Sequence, residues 1–217
     1  MKPSARAAGP SPTRAGLPEA PALGREAEAK LDAFLDLLLA WNGRINLVAD
    51  RQPEVIRKRH IADSLQLLPL LPPGEEPIGD LGSGGGFPGL ILALATRRPM
   101  HLVESDRRKA AFLNEAAARL GLDKLRVYPS RIEQVALPPL AALTARAVAP
   151  LRDLLPHAAR LLAPEGVAIF PKGRSAEAEL TAALPGWTLR VERFASRTDP
   201  DATIFRLSDI RRAGPDA

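Results

Sequence analysis

Asp80-Leu81-Gly82-Ser83-Gly84-Gly85-Gly86-Phe87-Pro88-Gly89 decides the fold class of this chain, because the sequence before it reads as helix and the sequence after it alternates strand with helix. Glycines at 82, 84 and 86 let the backbone pass close to a bound group with no Cβ in the way, some of them at positive φ. Pro88 suits the first helical position, where its missing N–H costs nothing, and Leu90-Ile91-Leu92-Ala93-Leu94 supplies the body of the helix. A strand, a glycine turn and a helix therefore meet here. A lone Gly-x-Gly is weak evidence for a ligand, so the context has to carry the reading.

That context is an acidic residue at a suitable distance. Met100-His101-Leu102-Val103 reads as the next strand and ends in Glu104, 18 positions after Gly86, where a carboxylate accepts both ribose hydroxyls of an adenosine-containing ligand. Two cofactor classes fit. Gly84-x-Gly86-x-x-Gly89 formally satisfies the dinucleotide fingerprint, which keeps an NAD-dependent oxidoreductase as the alternative. Pro88 counts against it, because a dinucleotide site offers helix N-terminal N–H groups to a pyrophosphate and proline removes one. Asp80 would repel a pyrophosphate and is expected instead to orient the cationic amino group of a methionine moiety through the loop or a water. The balance favours S-adenosylmethionine.

The 217 residues suffice for one α/β catalytic domain, and 46% apolar content supplies its core. A net charge of +5 points toward an anionic partner such as RNA, although an arginine-rich composition gives the same balance. With no cysteine, disulfides, thiolate zinc sites and cysteine nucleophiles are excluded. There is no run of ~18 apolar residues and no apolar stretch after a basic start, so the expected compartment is the cytoplasm.

Residues 1–24 carry Pro3, Pro10, Pro12, Pro18 and Pro21 and present no periodic apolar face, so they read as a disordered tail. Residues 25–210 read as the methyltransferase domain, with N-terminal helices over 25–72 and a C-terminal tail over 211–217. Leu31, Phe34, Leu35, Leu38 and Trp41 recur at helical spacing, and Pro53 opens a second helix. Its polar side, Arg57-Lys58-Arg59-His60, is either an RNA-gripping run or a solvated face, and His60 and Asp63 are spaced to hydrogen-bond each other. No third ligand accompanies them, so no metal is expected. Beyond the glycine turn, Ser105 or Asp106 caps a helix over 107–120, and Ser130-Arg131-Ile132-Glu133 matches a capping box that also lies where an adenine would rest. Strands follow at 142–147 and 167–170, separated by a helix disturbed by Pro156, and the chain closes with two strands joined as a hairpin. Seven strands, the last two without a helix between them, suit a mostly parallel sheet with one antiparallel strand. The fold class expected is α/β, a Rossmann-like class I S-adenosylmethionine-dependent methyltransferase with an N-terminal helical extension.

Trp41-Asn42 with Asn46-Leu47, Arg59-His60 with Asp63-Ser64, the stretch from Asp80 to Gly89, Ser130-Arg131-Ile132-Glu133, Ala145-Arg146-Ala147 and Lys172-Gly173 occur in one consistent order over residues 30–207. In these the chain resembles the ribosomal RNA small-subunit guanine-N7 methyltransferase G family, also called glucose-inhibited division protein B. The resemblance implies that Gly82 and Phe87 line the methyl-donor pocket, that Ile132 and Glu133 hold the adenine end, and that Arg146 contacts the cofactor near the reacting edge. With Gly84 and the ribose-binding Glu104, these are the candidate cofactor-binding residues. It further implies 16S ribosomal RNA, or the small ribosomal subunit, as partner. Pro171 before Lys172 and the proline-rich tail depart from the family pattern.

The residue inventory narrows the methyl acceptor. Without cysteine there is no covalent adduct for pyrimidine C5 methylation. Thr144-Ala145-Arg146 lacks the Asn/Asp-Pro-Pro-Tyr motif that positions exocyclic amino groups. Guanine N7 offers an exposed lone pair that needs no general base. A non-catalytic RNA-binding protein on the same fold is the second alternative.

Overall fold

The structure is a computed structural model and describes residues 14–213. Strands β1 (Ile78–Leu81), β2 (Met100–Val103), β3 (Leu125–Tyr128), β4 (Leu140–Ala145), β5 (Leu162–Lys172), β6 (Trp187–Ala195) and β7 (Thr203–Arg212) form one sheet in the order β3-β2-β1-β4-β5-β7-β6. The first five pair in parallel, and β7 lies antiparallel between β5 and β6. This is the expected seven-stranded, mostly parallel sheet with a closing hairpin. Its central strands β1, β2 and β4 are almost wholly buried because helices cover both faces, and the polar Asp80, His101 and Thr144 enter that interior with hydrogen-bond partners. The order runs outward from β1 in both directions, so the carboxyl ends of β1 and β4 part at a switch point, where open α/β sheets place their ligands.

Among the described residues the sheet is flanked by α1 (Arg25–Asn42), α2 (Pro53–Ile56), α3 (Ala62–Leu65), α4 (Gly89–Thr96), α5 (Arg107–Leu120), α6 (Leu151–Leu161) and α7 (Ala176–Ala183). One core packs α1, α4 and α5 against the sheet through Phe34, Leu38, Leu90 and Phe112; the other packs α6 and α7 through Leu154, Leu155 and Leu180 onto Phe170 and Phe205. Phe34 meets Phe87 edge-on with ring centroids 5.6 Å apart, so α1 backs the glycine turn directly. At α5, Asp106 accepts from the N–H groups of Arg108 and Lys109, and left-handed Gly121 ends the helix.

Several local expectations shift. Helix α4 starts at Gly89, so Pro88 precedes it rather than occupying its first position. The second helix is continuous from 53 to 65 but passes through a π-helical turn at Arg57–Ile61 between α2 and α3. Helix α6 runs through Pro156, with Leu151, Leu154, Leu155, Ala158 and Leu161 buried along one stripe that holds it in place. No capping box forms at Ser130: its hydroxyl donates to the Arg131 carbonyl, and the chain makes only a turn before Leu137-Pro138-Pro139 leaves it no room for a helix. Of the stretch expected as a disordered tail, residues 1–13 lie outside those described, while Ala15 bridges Phe194 of β6, Leu17 is buried in the core and Leu23 packs against it. Positions 211 and 212, expected in the C-terminal tail, belong to β7, while 214–217 lie outside the described residues.

Asp80 is the point where β1, β4 and α4 are joined. It is fully buried, its Oδ1 accepts from the Thr144 hydroxyl at 2.7 Å, and its Oδ2 accepts from the Gly89 N–H at 3.3 Å. Burial pushes its carboxyl up from 3.8 to about 6, against the opposing hydrogen bonds from Thr144, Ser83 and Gly89 and the more distant Arg146 charge. The folded chain therefore holds this proton more tightly than the unfolded chain. The resulting stability is complete below pH 3.8 and is lost as pH rises through about 6. In Asp80→Asn the amide oxygen keeps the Gly89 bond, and the amide nitrogen donates to Thr144, whose hydroxyl still reaches the Gly79 carbonyl at 3.2 Å. Denaturant titrations at stepped pH are expected to show that this variant lacks the wild-type loss of roughly 3 kcal/mol between pH 4 and 7.

Candidate functional site

The carboxyl edge of the sheet carries a cavity of about 610 Å³ whose walls include Gly82, Gly84, Phe87, Glu104, Ile132, Glu133 and Arg146. All seven candidate residues therefore meet at one place. Asp80 is not among the lining residues; its carboxylate accepts from Thr144 and from the Gly89 N–H at the start of α4, so whatever it does for a ligand passes through the loop it holds.

The glycine turn is built to bring bare backbone to this cavity. Gly84 sits at φ +54°, and a Cβ there would meet nothing nearer than the Gly82 carbonyl at 3.8 Å. At Gly82, by contrast, a Cβ would lie 2.1 Å from Val148 Cγ2, so that glycine serves the close approach of the chain after β4.

The amides of the turn are mostly spoken for. Those of Gly82 and Ser83 donate to the Val103 carbonyl, Gly84 to Glu104 Oε2, Gly86 and Phe87 to the Ser83 carbonyl, Gly89 to Asp80 and Leu90 to the Gly86 carbonyl. Only Gly85, among those that carry an N–H, lacks such an acceptor within the described residues. A pyrophosphate would find no array of free donors here.

Glu104 is buried at the end of β2. Oε2 accepts from Gly84 N–H at 2.8 Å and Oε1 from Asp106 N–H at 2.8 Å, which fixes the carboxylate plane while leaving lone pairs toward the cavity. On the adjoining wall, Arg160 of α6 donates to the carbonyls of Ile132 at 2.7 Å and Val135 at 2.8 Å, so the loop carrying Ile132 and Glu133 is tied down by its backbone. Glu133 is free of any capping duty and is exposed beside the cavity.

Arg146 closes the far end. Its Nη1 donates to Asp63 Oδ2 at 3.2 Å and to the Arg59 carbonyl at 3.3 Å, its Nη2 donates to His60 Nδ1 at 3.0 Å, and the guanidinium lies 5.4 Å from the Phe87 ring centroid. His60 stacks on the same ring at 5.1 Å. Burial, then the Arg146 charge, hold His60 below its ordinary value, with Asp50 and Asp63 opposing. A neutral imidazole accepting at Nδ1 carries its proton on Nε2, which faces Asp50 Oδ2 at 3.4 Å without hydrogen-bond alignment. His60 and Asp63 thus do not bond each other, as their spacing suggested; both hold Arg146. The run before them is likewise occupied, Arg57 with Asp32 and Arg59 with Asp50, and Lys58 alone lacks a carboxylate partner among the described residues.

The family profile described as rRNA small subunit methyltransferase G (GidB) matches residues 27–197. The chain belongs to the rRNA small subunit methyltransferase G family. The proteins named ribosomal RNA small subunit methyltransferase G from Granulibacter bethesdensis and Acidiphilium cryptum are 52% and 56% identical to it. The first alignment spans 90% of this chain and 92% of the relative, the second 84% and 85%. Among solved structures, an O-methyltransferase from Bacillus cereus in complex with SAH superposes with a TM-score of 0.55 at 18% identity, over 82% of this chain and 91% of that one. TrmN from Thermus thermophilus gives 0.54 at 24% identity, over 67% and 47%. These distant likenesses show the class I methyltransferase fold.

In this member of the methyltransferase G family, local sequence reading missed the supports of the site. Asn42 is buried at the end of α1; its Oδ1 accepts from the N–H groups of Leu47 and Val48 and its Nδ2 donates to the Val48 carbonyl, which pins the loop that roofs the cavity. Asp63 Oδ1 accepts from Gln66 and from Thr198, and Gln66 also meets Ser196, so Arg146 is braced from the β6–β7 turn. An Asn before a helix-stopping Gly was the only local hint of the first, and nothing local announced the second. Lys172 is a structural ion pair, donating to the Ala149 carbonyl at 2.7 Å and facing Glu179 at 3.0 Å. Within the described residues there is no cluster of three metal-ligating side chains and no helix long and apolar enough to cross a membrane.

Two substitutions probe the cavity. Gly84→Val places a side chain in open space at a backbone angle that L-residues resist, and calorimetry is expected to show loss of S-adenosylmethionine binding in a chain that still folds. Arg146→Ala removes three charge-assisted hydrogen bonds from the far end, and donor affinity or turnover is expected to fall roughly tenfold or more. Arg146→Lys is expected not to restore it, because one ammonium cannot reproduce the forked geometry.

Proposed function

We propose that this chain transfers the methyl group of S-adenosylmethionine to N7 of a guanine in 16S ribosomal RNA of the small subunit, in the cytoplasm. The observation that carries the reading is the convergence of the seven candidate residues on one cavity whose glycine-turn amides are internally satisfied. Such a turn fits an adenosyl sulfonium, which has no phosphate to hold, and suits an NAD-dependent oxidoreductase poorly. Family membership and the names of the relatives support the RNA substrate.

Each residue has a physical task. Glu104, held flat by Gly84 and Asp106 N–H groups, has acceptor capacity left for two ribose hydroxyls. Ile132 offers an apolar face to the adenine and Glu133 an acceptor for its exocyclic amine. Gly82 and Gly84 give the ligand bare backbone, and Phe87 walls the end where Arg146 sits. When bound, the donor supplies an electrophilic methyl: the N7 lone pair forms the new N–C bond as the S–C bond breaks with its electron pair to sulfur. No proton is transferred, so the chain needs no general base, and none of its side chains is assigned one. Its contribution is alignment, which supplies roughly 7 to 11 kcal/mol in well-oriented reactions.

The decisive measurement maps N7-methylguanosine in small-subunit ribosomal RNA from cells with and without this chain. A modified guanine is expected that disappears with the gene and returns with it. In parallel, S-adenosylmethionine and not NAD is expected to raise the melting temperature of the purified chain. Stabilisation by the nicotinamide coenzyme alone would overturn the reading, and donor binding without turnover on ribosomal RNA would leave a non-catalytic RNA-binding protein.

A further inference from the structure

A second cavity, of about 670 Å³, lies against the first. The two share Ala49, His60, Arg146, Ala147 and Val148 as a common wall. On the functional reading above, adenine lies at Ile132 and Glu133 and ribose at Glu104. The sulfonium end of the ligand then points along the first cavity toward Phe87 and Arg146, and so toward this wall. We infer that the second cavity receives the acceptor, a guanine nucleotide turned out of the RNA stack, and presents its N7 across the wall to the methyl group.

Three observations fit that occupant. The first is a platform: Val148, which belongs to both cavities, is one of two exposed large apolar side chains among the described residues. An extruded base has lost its stacking partners and needs such a surface. The second is charge. Four carboxylates, on Asp50, Asp63, Glu179 and Asp199, line the cavity against three cations, on Arg59, Arg146 and Lys172. Each cation has a carboxylate partner, which leaves Asp199 as the acid without one. A guanine that becomes cationic as N7 is alkylated is favoured by a surplus of negative charge. The third is Gly173, on the outer wall. No positive φ requires glycine there, and a Cβ would meet nothing within 4 Å, so the fold leaves that space open.

Gly173→Leu in the full chain tests the assignment, because Gly173 lines the second cavity and not the first. Donor affinity by calorimetry is expected to stay within about twofold of wild type, while methyl transfer to small subunits from cells lacking the enzyme falls about 100-fold. Wild-type turnover in this folded variant would overturn the inference. A photo-crosslinking amino acid at Ala202, also confined to the second cavity, provides a readout that needs no turnover. Crosslinks are expected on the methylated guanine and its immediate neighbours, and crosslinks only elsewhere would also overturn it. Failure of the methyltransferase reading shows separately, as the absence of donor heat in the unsubstituted chain.

Discussion

A single buried carboxylate holds the working edge of this protein together. Asp80 faces Thr144 across the β1–β4 pair, the two being register partners, and its other oxygen caps the start of α4 through Gly89. The glycine turn is therefore strung between two ends of one side chain's hydrogen bonds. With the helix start satisfied from inside, the remaining amides turn back on the chain, and what reaches the cavity is bare backbone rather than a row of donors. The preference for a ligand without phosphates follows from this wiring, not from any one contact to the ligand.

The helical extension before the sheet completes the site. The turns at the carboxyl ends of β1, β2 and β4 supply Gly82, Gly84, Glu104 and Arg146, but α1 backs the glycine turn through Phe34, Asn42 fixes the roof, and the helix from Pro53 to Leu65 grips Arg146 through His60, Asp63 and the Arg59 carbonyl. An arginine at a strand end is ordinarily a mobile rim charge. Here three fixed partners and an aromatic face confine it to the wall between two cavities.

How much of this was readable in advance depended on distance along the chain. The glycine turn and the Glu104 spacing are local signals and led directly to the cavity, and the strand-helix alternation led to the sheet. Ile132 and Glu133 lie on the turn that a doubly wound sheet puts beside the glycine loop, whereas the roles of Gly82, Phe87 and Arg146 at the pocket come only from family resemblance. The partner of Asp80 is not legible locally, because nothing near it in sequence shows that Thr144, 64 positions away, will stand opposite. The capping pattern at Ser130 misled because four residues satisfy it on paper while the following prolines exclude the helix it would cap. Spacing makes Asp63 a local partner of His60, but its partners are Gln66, Arg146 just beyond β4 and Thr198 in the β6–β7 turn.

The position of β7 ties the bracing of the site to a strand made late in the chain. It is the last strand in sequence, yet it sits inside the sheet between β5 and β6. Until Thr203–Arg212 has left the translating ribosome, β5 has an open edge and the 196–198 turn that braces Asp63 has nothing to anchor it. Arg146 is synthesised before the turn that braces Asp63 is held by the β6–β7 pair, so the wall between the two cavities is fully braced only once β7 has paired.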